Sequence, residues 1–205
     1  MGEVRFGQRS FADAARAFDR AIEIVANETL TPVAPAKSDI ESLFERAAQA
    51  RLLLAHATAN DRRAGFVEIS RNKRSDMLGG IYSPSVRGIV LHTVIVPITF
   101  EYGKTTFTSV GEAAARELLT AMKQQQPARA VLVGHTDIRG SAEFNMKLSR
   151  DRAEAVASFL RDNGVTTSFE TVGKGASEPV NLPDGLDLSQ EEVYTLNRRV
   201  EWQRE

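Results

Sequence analysis

From about Gly88 onward, short runs rich in branched residues alternate with stretches of helical periodicity, and this alternation constrains the fold more than any other feature. Ile89 to Phe100 reads as β. Ser109 to Met122 reads as helix through Ala113, Ala114, Leu118, Leu119 and Met122. Ala130 to Val133 is a buried strand, and Leu148 to Leu160 a second helix with Val156, Phe159 and Leu160 as its stripe. Gly164 stands where that helix would stop. Phe169 to Val172 and Arg199 to Trp202 are two further strands. The order predicts a two-layer α/β or α+β domain with helices packed on a mixed four-stranded sheet.

The first sixty residues differ. Phe11, Ala14, Ala15, Phe18, Ala21 and Ile22 recur at helical spacing, with Arg16, Asp19, Arg20 and Glu23 on the other face. Pro32 and Pro35 interrupt the pattern. Ser38 and Asp39 then offer an N-cap for a second helix through Ile40, Leu43, Phe44, Ala47 and Ala50 to about Ala57. A helical hairpin is expected. The spacing of phenylalanine and alanine also weakly resembles the second half of a tetratricopeptide repeat, although one unit is visible and a solenoid needs about three. Three regions follow: 1–60 helical, 61–87 a linker with short strands, and 88–205 the α/β domain. The linker holds a basic stretch, Arg62, Arg63, Arg71, Lys73 and Arg74, that either meets an anionic surface or is a solvated loop. Within it Phe66 to Ile69 and Val86 to Leu91 can form short strands, and Gly79-Gly80 and Ser83-Pro84 are turn chemistry.

At 205 residues the chain fits one large or two small domains. Its net charge of −1 argues against non-specific nucleic-acid binding. No cysteine is present, which removes disulfides, thiolate metal sites and cysteine nucleophiles together. The longest apolar run, Gly88 to Phe100, is broken by His92, Thr93 and Pro97, so no membrane span is expected. Met1-Gly2-Glu3 enters a helical pattern without a signal peptide, the expectation for either a cytoplasmic protein or a piece of a longer, exported one. His56, His92 and His135 lack metal-ligand spacing, and no nucleophile accompanies His135 and Asp137. Gly173 and Gly175 are not a phosphate loop. No metal, cofactor or catalysis is expected, and Trp202 is expected to pack rather than to stack on a sugar.

Chemistry concentrates at Gly134-His135-Thr136-Asp137 and the residues after it. Asp137 follows a buried strand, at the end where open α/β sheets place ligands. Ser149 reads as an N-cap, which would put Arg152, fifteen residues after Asp137, in the first turn of a helix. One carboxylate and one guanidinium on adjacent elements can hold both poles of a free amino-acid head, the ammonium at Asp137 and the carboxylate at Arg152. They can equally form a salt bridge between loop and helix.

Thr136-Asp137, Gly140, Asn145, Leu148-Ser149 and Arg152-Ala153 lie in the order and spacing of the OmpA-like peptidoglycan-binding family, which they resemble. Phe100, the Gly173, Gly175 and Pro179 loop, and Asn197-Arg198-Arg199-Val200-Glu201 extend the resemblance from about Ile89 to Glu205. The resemblance implies a β-α-β-α-β-β domain that binds peptidoglycan non-covalently through the diaminopimelate of its peptide stem, in the periplasm or at the outer membrane. It assigns the ammonium to Asp137 and the carboxylate to Arg152, and lines the pocket with Asn145, Thr136 and Arg198. Arg198 is preferred to Arg199 because neighbours on a strand face opposite sides. Glu101-Tyr102-Gly103 departs from the family, many of whose members carry an aspartate and an asparagine there. The alternative is an interaction scaffold whose N-terminal helices bind a protein partner beside a purely structural α/β domain.

Overall fold

The computed structural model describes residues 10–60, 85–90, 92–96, 98–182 and 187–204, together with Gly2 and Val4. From Ser10 onward, two helices come first, α1 (Phe11–Ala26) and α2 (Lys37–Asn60). Helix α1 is strongly amphipathic: Phe11, Ala14, Ala15, Phe18 and Ile22 are buried on one face. Helix α2 buries Ile40, Phe44, Ala47, Ala48, Ala50, Leu52, Leu53 and Leu54, too many for one stripe. It has more than one neighbour to satisfy, packing against α1 and against the α/β domain. Arg51 makes the first junction, donating to both oxygens of Asp19 at 2.8 and 2.9 Å. No further helical repeat follows the pair among the described residues. The expected strand at Phe66 to Ile69 and the basic stretch from Arg62 to Arg74 lie outside the described residues.

A small hairpin, β1 (Ser85–Val86) and β2 (Ile89–Val90), turns at Arg87-Gly88, both with positive φ (54° and 78°). Two such residues are what a tight hairpin turn requires. The Arg87 guanidinium reaches back to the carbonyls of Val25 and Thr31, tying the hairpin to the end of α1.

The main sheet contains β3 (Thr93–Val96), β4 (Arg129–Gly134), β5 (Ser168–Gly173) and β6 (Val200–Arg204), in the order β3-β6-β4-β5. It is mixed: β4 and β5 are parallel, whereas β6 runs antiparallel to both β3 and β4. Three helices connect the strands, α3 (Ser109–Gln125), α4 (Ala142–Asp162) and α5 (Gln190–Asn197). Register places Val94, Trp202 and Leu132 side by side on one face. Trp202 is fully buried there, as expected for a packing residue. On the other face Ile95, Glu201 and Val133 share a row, and Phe44 and Ala48 of α2 approach Thr93 and Ile95 from above it. The helical pair and the sheet thereby share one continuous apolar core.

The mixed four-stranded sheet with helices packed on it, and the helical pair before it, are as the sequence predicts. The short helix α5, between β5 and β6, is an addition to the elements that the sequence predicts. Its acids are what start it: Ser189 and Glu192 form a reciprocal capping box, and Glu191 joins Glu192 in the first turn.

Candidate ligand-binding site

Strand β4 ends at Gly134, and the chain then runs through His135, Thr136 and Asp137 before Gly140 (φ 96°) turns it into α4. Two glycines let α4 lie across the ends of the parallel strands. A Cβ on Gly134 would sit 1.9 Å from the Ser149 carbonyl oxygen, and one on Gly173 would sit 2.6 Å from that of Met146. The Ser149 hydroxyl accepts from the Gly175 N–H at 2.9 Å and donates to the Met146 carbonyl at 2.8 Å. Ser149 is thus a clasp between helix and loop.

It is not the helix N-cap that the sequence suggested. Helix α4 begins at Ala142, and its cap is Ser141, whose hydroxyl accepts from the Phe144 N–H at 3.1 Å. Arg152 consequently lies in the middle of the helix, well beyond the first turn where the helix dipole acts. The apolar stripe misled because Phe144 and Met146, in the first turns, are about half exposed. What acts on Arg152 is burial.

Asp137, Arg152, Asn145, Thr136 and Arg198 line one small pocket of about 90 Å³. Arg152 is 2 % exposed, with its guanidinium over the Phe100 ring (5.0 Å to the centroid) and its Nε donating to the Lys104 carbonyl at 3.1 Å. A longer contact reaches the Glu101 carbonyl at 3.5 Å. No carboxylate pairs with it among the described residues, so the alternative, an Asp137–Arg152 salt bridge between loop and helix, does not form. Burial, with the nearby Arg198 charge, lowers its pKa to about 10, and Asp137 only partly opposes this.

Asp137 pairs instead with Arg139 and Arg198, through Oδ2 contacts of 2.8 and 2.7 Å. Burial alone would raise its carboxyl, but the hydrogen bonds from Arg139 and Arg198 prevail and hold the pKa at about 2. Glu191 of α5 joins the network through Arg139 at 3.2 Å and Arg198 at 2.9 Å. Asn145 is buried and donates to the Asp137 carbonyl at 3.2 Å, bracing the loop. Thr136 donates its N–H to the Gly175 carbonyl at 2.8 Å. Its hydroxyl is buried in the pocket wall with no hydrogen-bond partner among the described residues.

Arg198 and Arg199 diverge as anticipated, although the strand starts only at Val200. Arg198 turns to Asp137, whereas Arg199 is buried against Glu201 at 2.8 Å. His135 also faces away from the pocket, its Nε2 3.5 Å from Glu201, so it makes no dyad with Asp137. The wall at the departure from the family is built by Tyr102 and Gly103, while the Glu101 carboxylate pairs with Lys104 at 2.6 Å. Sequence reasoning missed Arg139 and Tyr194, and named Tyr102 only as part of the departure from the family. The guanidinium of Arg139 lies 5.5 Å from the Tyr102 ring and 4.6 Å from that of Tyr194. An aspartate two residues before an arginine was the available signal, since Asp137 accepts from the Arg139 N–H at 2.9 Å in an Asx turn.

Residues 99–191 match the model of the OmpA family. The chain is 36% identical over 104 residues to the peptidoglycan-associated lipoprotein of Legionella pneumophila, covering 50% of this chain and 56% of that one. It is 33% identical over 84 residues to outer membrane protein P5 of Haemophilus influenzae, covering 40% and 24% respectively. Among solved structures, the peptidoglycan-associated lipoprotein from Burkholderia pseudomallei aligns with a TM-score of 0.45 at 25% identity, covering 56% of this chain and 91% of that one. The chain thus spans between 24% and 56% of the length of these two curated relatives. No described helix is long and apolar enough to cross a membrane. Over residues 99–191, therefore, the chain carries an OmpA-like domain.

Proposed function

We propose that this domain is a non-catalytic module that binds peptidoglycan through the diaminopimelate of the peptide stem, and so attaches the rest of its protein to the cell wall in the periplasm. The observation that carries the proposal is Arg152, a buried guanidinium with carbonyl contacts but no anionic partner among the described residues. Such a cation is poorly solvated and gains most from a carboxylate delivered into the pocket. Asp137 lies in the same pocket as the counter-pole for an ammonium, and the Thr136 hydroxyl, unpartnered among the described residues, adds a hydrogen-bonding group. A head group with NH₃⁺ and COO⁻ on one carbon matches these three. The likeness to the Legionella pneumophila lipoprotein, described by name as peptidoglycan-associated, supports the same ligand. The division into 1–60 helices, 61–87 linker and 88–205 binding domain is proposed with it, the helices being the part that the module tethers.

The test is capture on purified sacculi and titration with a soluble muropeptide carrying an intact diaminopimelate stem. Asp137→Ala and Arg152→Ala are each expected to abolish capture, since truncating one member of a buried charged contact costs roughly 2–5 kcal/mol. Undiminished capture of either variant would remove that residue from the site.

A further inference from the structure

The carboxylate assigned to the ammonium is already saturated. Oδ1 of Asp137 accepts from the Arg139 N–H at 2.9 Å and from its Nε at 3.2 Å. Oδ2 accepts from Arg139 Nη2 at 2.8 Å and from Arg198 Nη1 at 2.7 Å. An ionised carboxylate offers about four lone-pair sites, so an incoming ammonium finds no acceptor until a guanidinium withdraws. The two guanidinium groups are not equally placed to do so. Arg198 is 19% exposed, caps α5, and donates to Thr195 Oγ1 at 2.9 Å as well as to Glu191. Arg139 is 35% exposed and sits on the loop between β4 and α4. Away from Asp137 it retains Glu191 and the faces of Tyr102 and Tyr194.

We propose that Arg139 is a built-in competitor for the Asp137 subsite. Its guanidinium occupies the hydrogen-bonding positions that the ligand's ammonium needs, and binding displaces it onto Glu191 and the two tyrosine rings. The competition sets specificity. A lone amine has to displace Arg139 unaided, whereas an ammonium whose carbon also bears a carboxylate is delivered by the contact at Arg152. Arg139 thus restricts the pocket to zwitterionic heads, a conclusion that rests on the wall-binding role proposed above.

The experiment titrates the wild type and Arg139→Gln with two probes: a muropeptide whose diaminopimelate amine is free, and the same muropeptide with that amine acetylated. Glutamine keeps the loop's backbone N–H bond to Asp137 while removing the competing charge. Arg139→Gln is expected to bind the free-amine probe roughly fivefold more tightly, the measure of a part-exposed ion pair that no longer has to be broken. It should gain nothing on the acetylated probe. Unchanged or weaker binding of the free-amine probe by Arg139→Gln, or an equal gain on both probes, overturns the competitor role. Absence of binding by the wild type itself overturns the wall-binding role instead, and the competitor falls with it.

Discussion

Two residues of opposite charge behave differently in this pocket, and each difference can be measured. Asp137 titrates at about 2 against an ordinary 3.8, because its arginine hydrogen bonds outweigh burial. A depressed acid contributes stability that is present above its unfolded pKa and vanishes as pH falls through its folded one. Asp137→Asn is accordingly expected to be less stable than wild type near neutrality by roughly 1–2 kcal/mol, discounted for solvent screening. Urea midpoints of the two proteins should converge between about pH 4 and pH 2, and a gap that persists below pH 2 would dismiss this linkage. Arg152 is the reverse case, a cation kept in a poor place. Arg152→Met should leave stability within about 1 kcal/mol of wild type while abolishing muropeptide binding, since an apolar chain of similar length suits a buried site. A large loss of stability would instead make Arg152 a structural residue.

At the scale of elements, what the sequence reveals depends on where the apolar residues fall. Helix α3 and strands β4, β5 and β6 are legible to within a few residues, because each turns a periodic apolar face to the core. The start of α4 is not, since Phe144 and Met146 point partly to solvent and the stripe becomes visible only near Leu148. Helix α5 was hidden by Glu191 and Glu192, which resemble loop chemistry until Ser189 is seen to complete a capping box. The same logic divides the site. Asp137, Asn145, Arg152 and Arg198 are legible from motif spacing. Arg139 shows only its Asx-turn signal beside Asp137, because its second carboxylate, Glu191, is 52 positions away and reached only through the fold. Loss of the Ser189 cap should cost about 1 kcal/mol, and because α5 presents Glu191 and Tyr194, Ser189→Ala should also alter muropeptide affinity. Thermal melts and titration of the same variant check both halves. Gly134→Ala pushes a methyl group into the Ser149 carbonyl and is expected to destabilise by about 1–3 kcal/mol.

Across the whole molecule, the helical pair is fastened to the sheet rather than hung from it. Phe44 of α2 is buried in the core shared with the domain. Phe44→Ala should therefore cost about 3–5 kcal/mol and lower the melting transition of both parts together. Trp202, the single tryptophan, reports the sheet by fluorescence, while far-ultraviolet circular dichroism is dominated by the helices. Coincident transitions are expected in wild type and variant; a helical transition that moves alone would show two independent units. The order β3-β6-β4-β5 has a further consequence for a protein proposed to hold a wall. Strands β3 and β4 both run antiparallel to β6 and hence parallel to each other. A pull applied at the start of β3 and a grip at the far end of β4 thus act at opposite ends of the sheet. Tension between them runs along the strands, and the hydrogen bonds of the β3–β6 and β6–β4 ladders are loaded in shear, all at once, rather than peeled apart one by one.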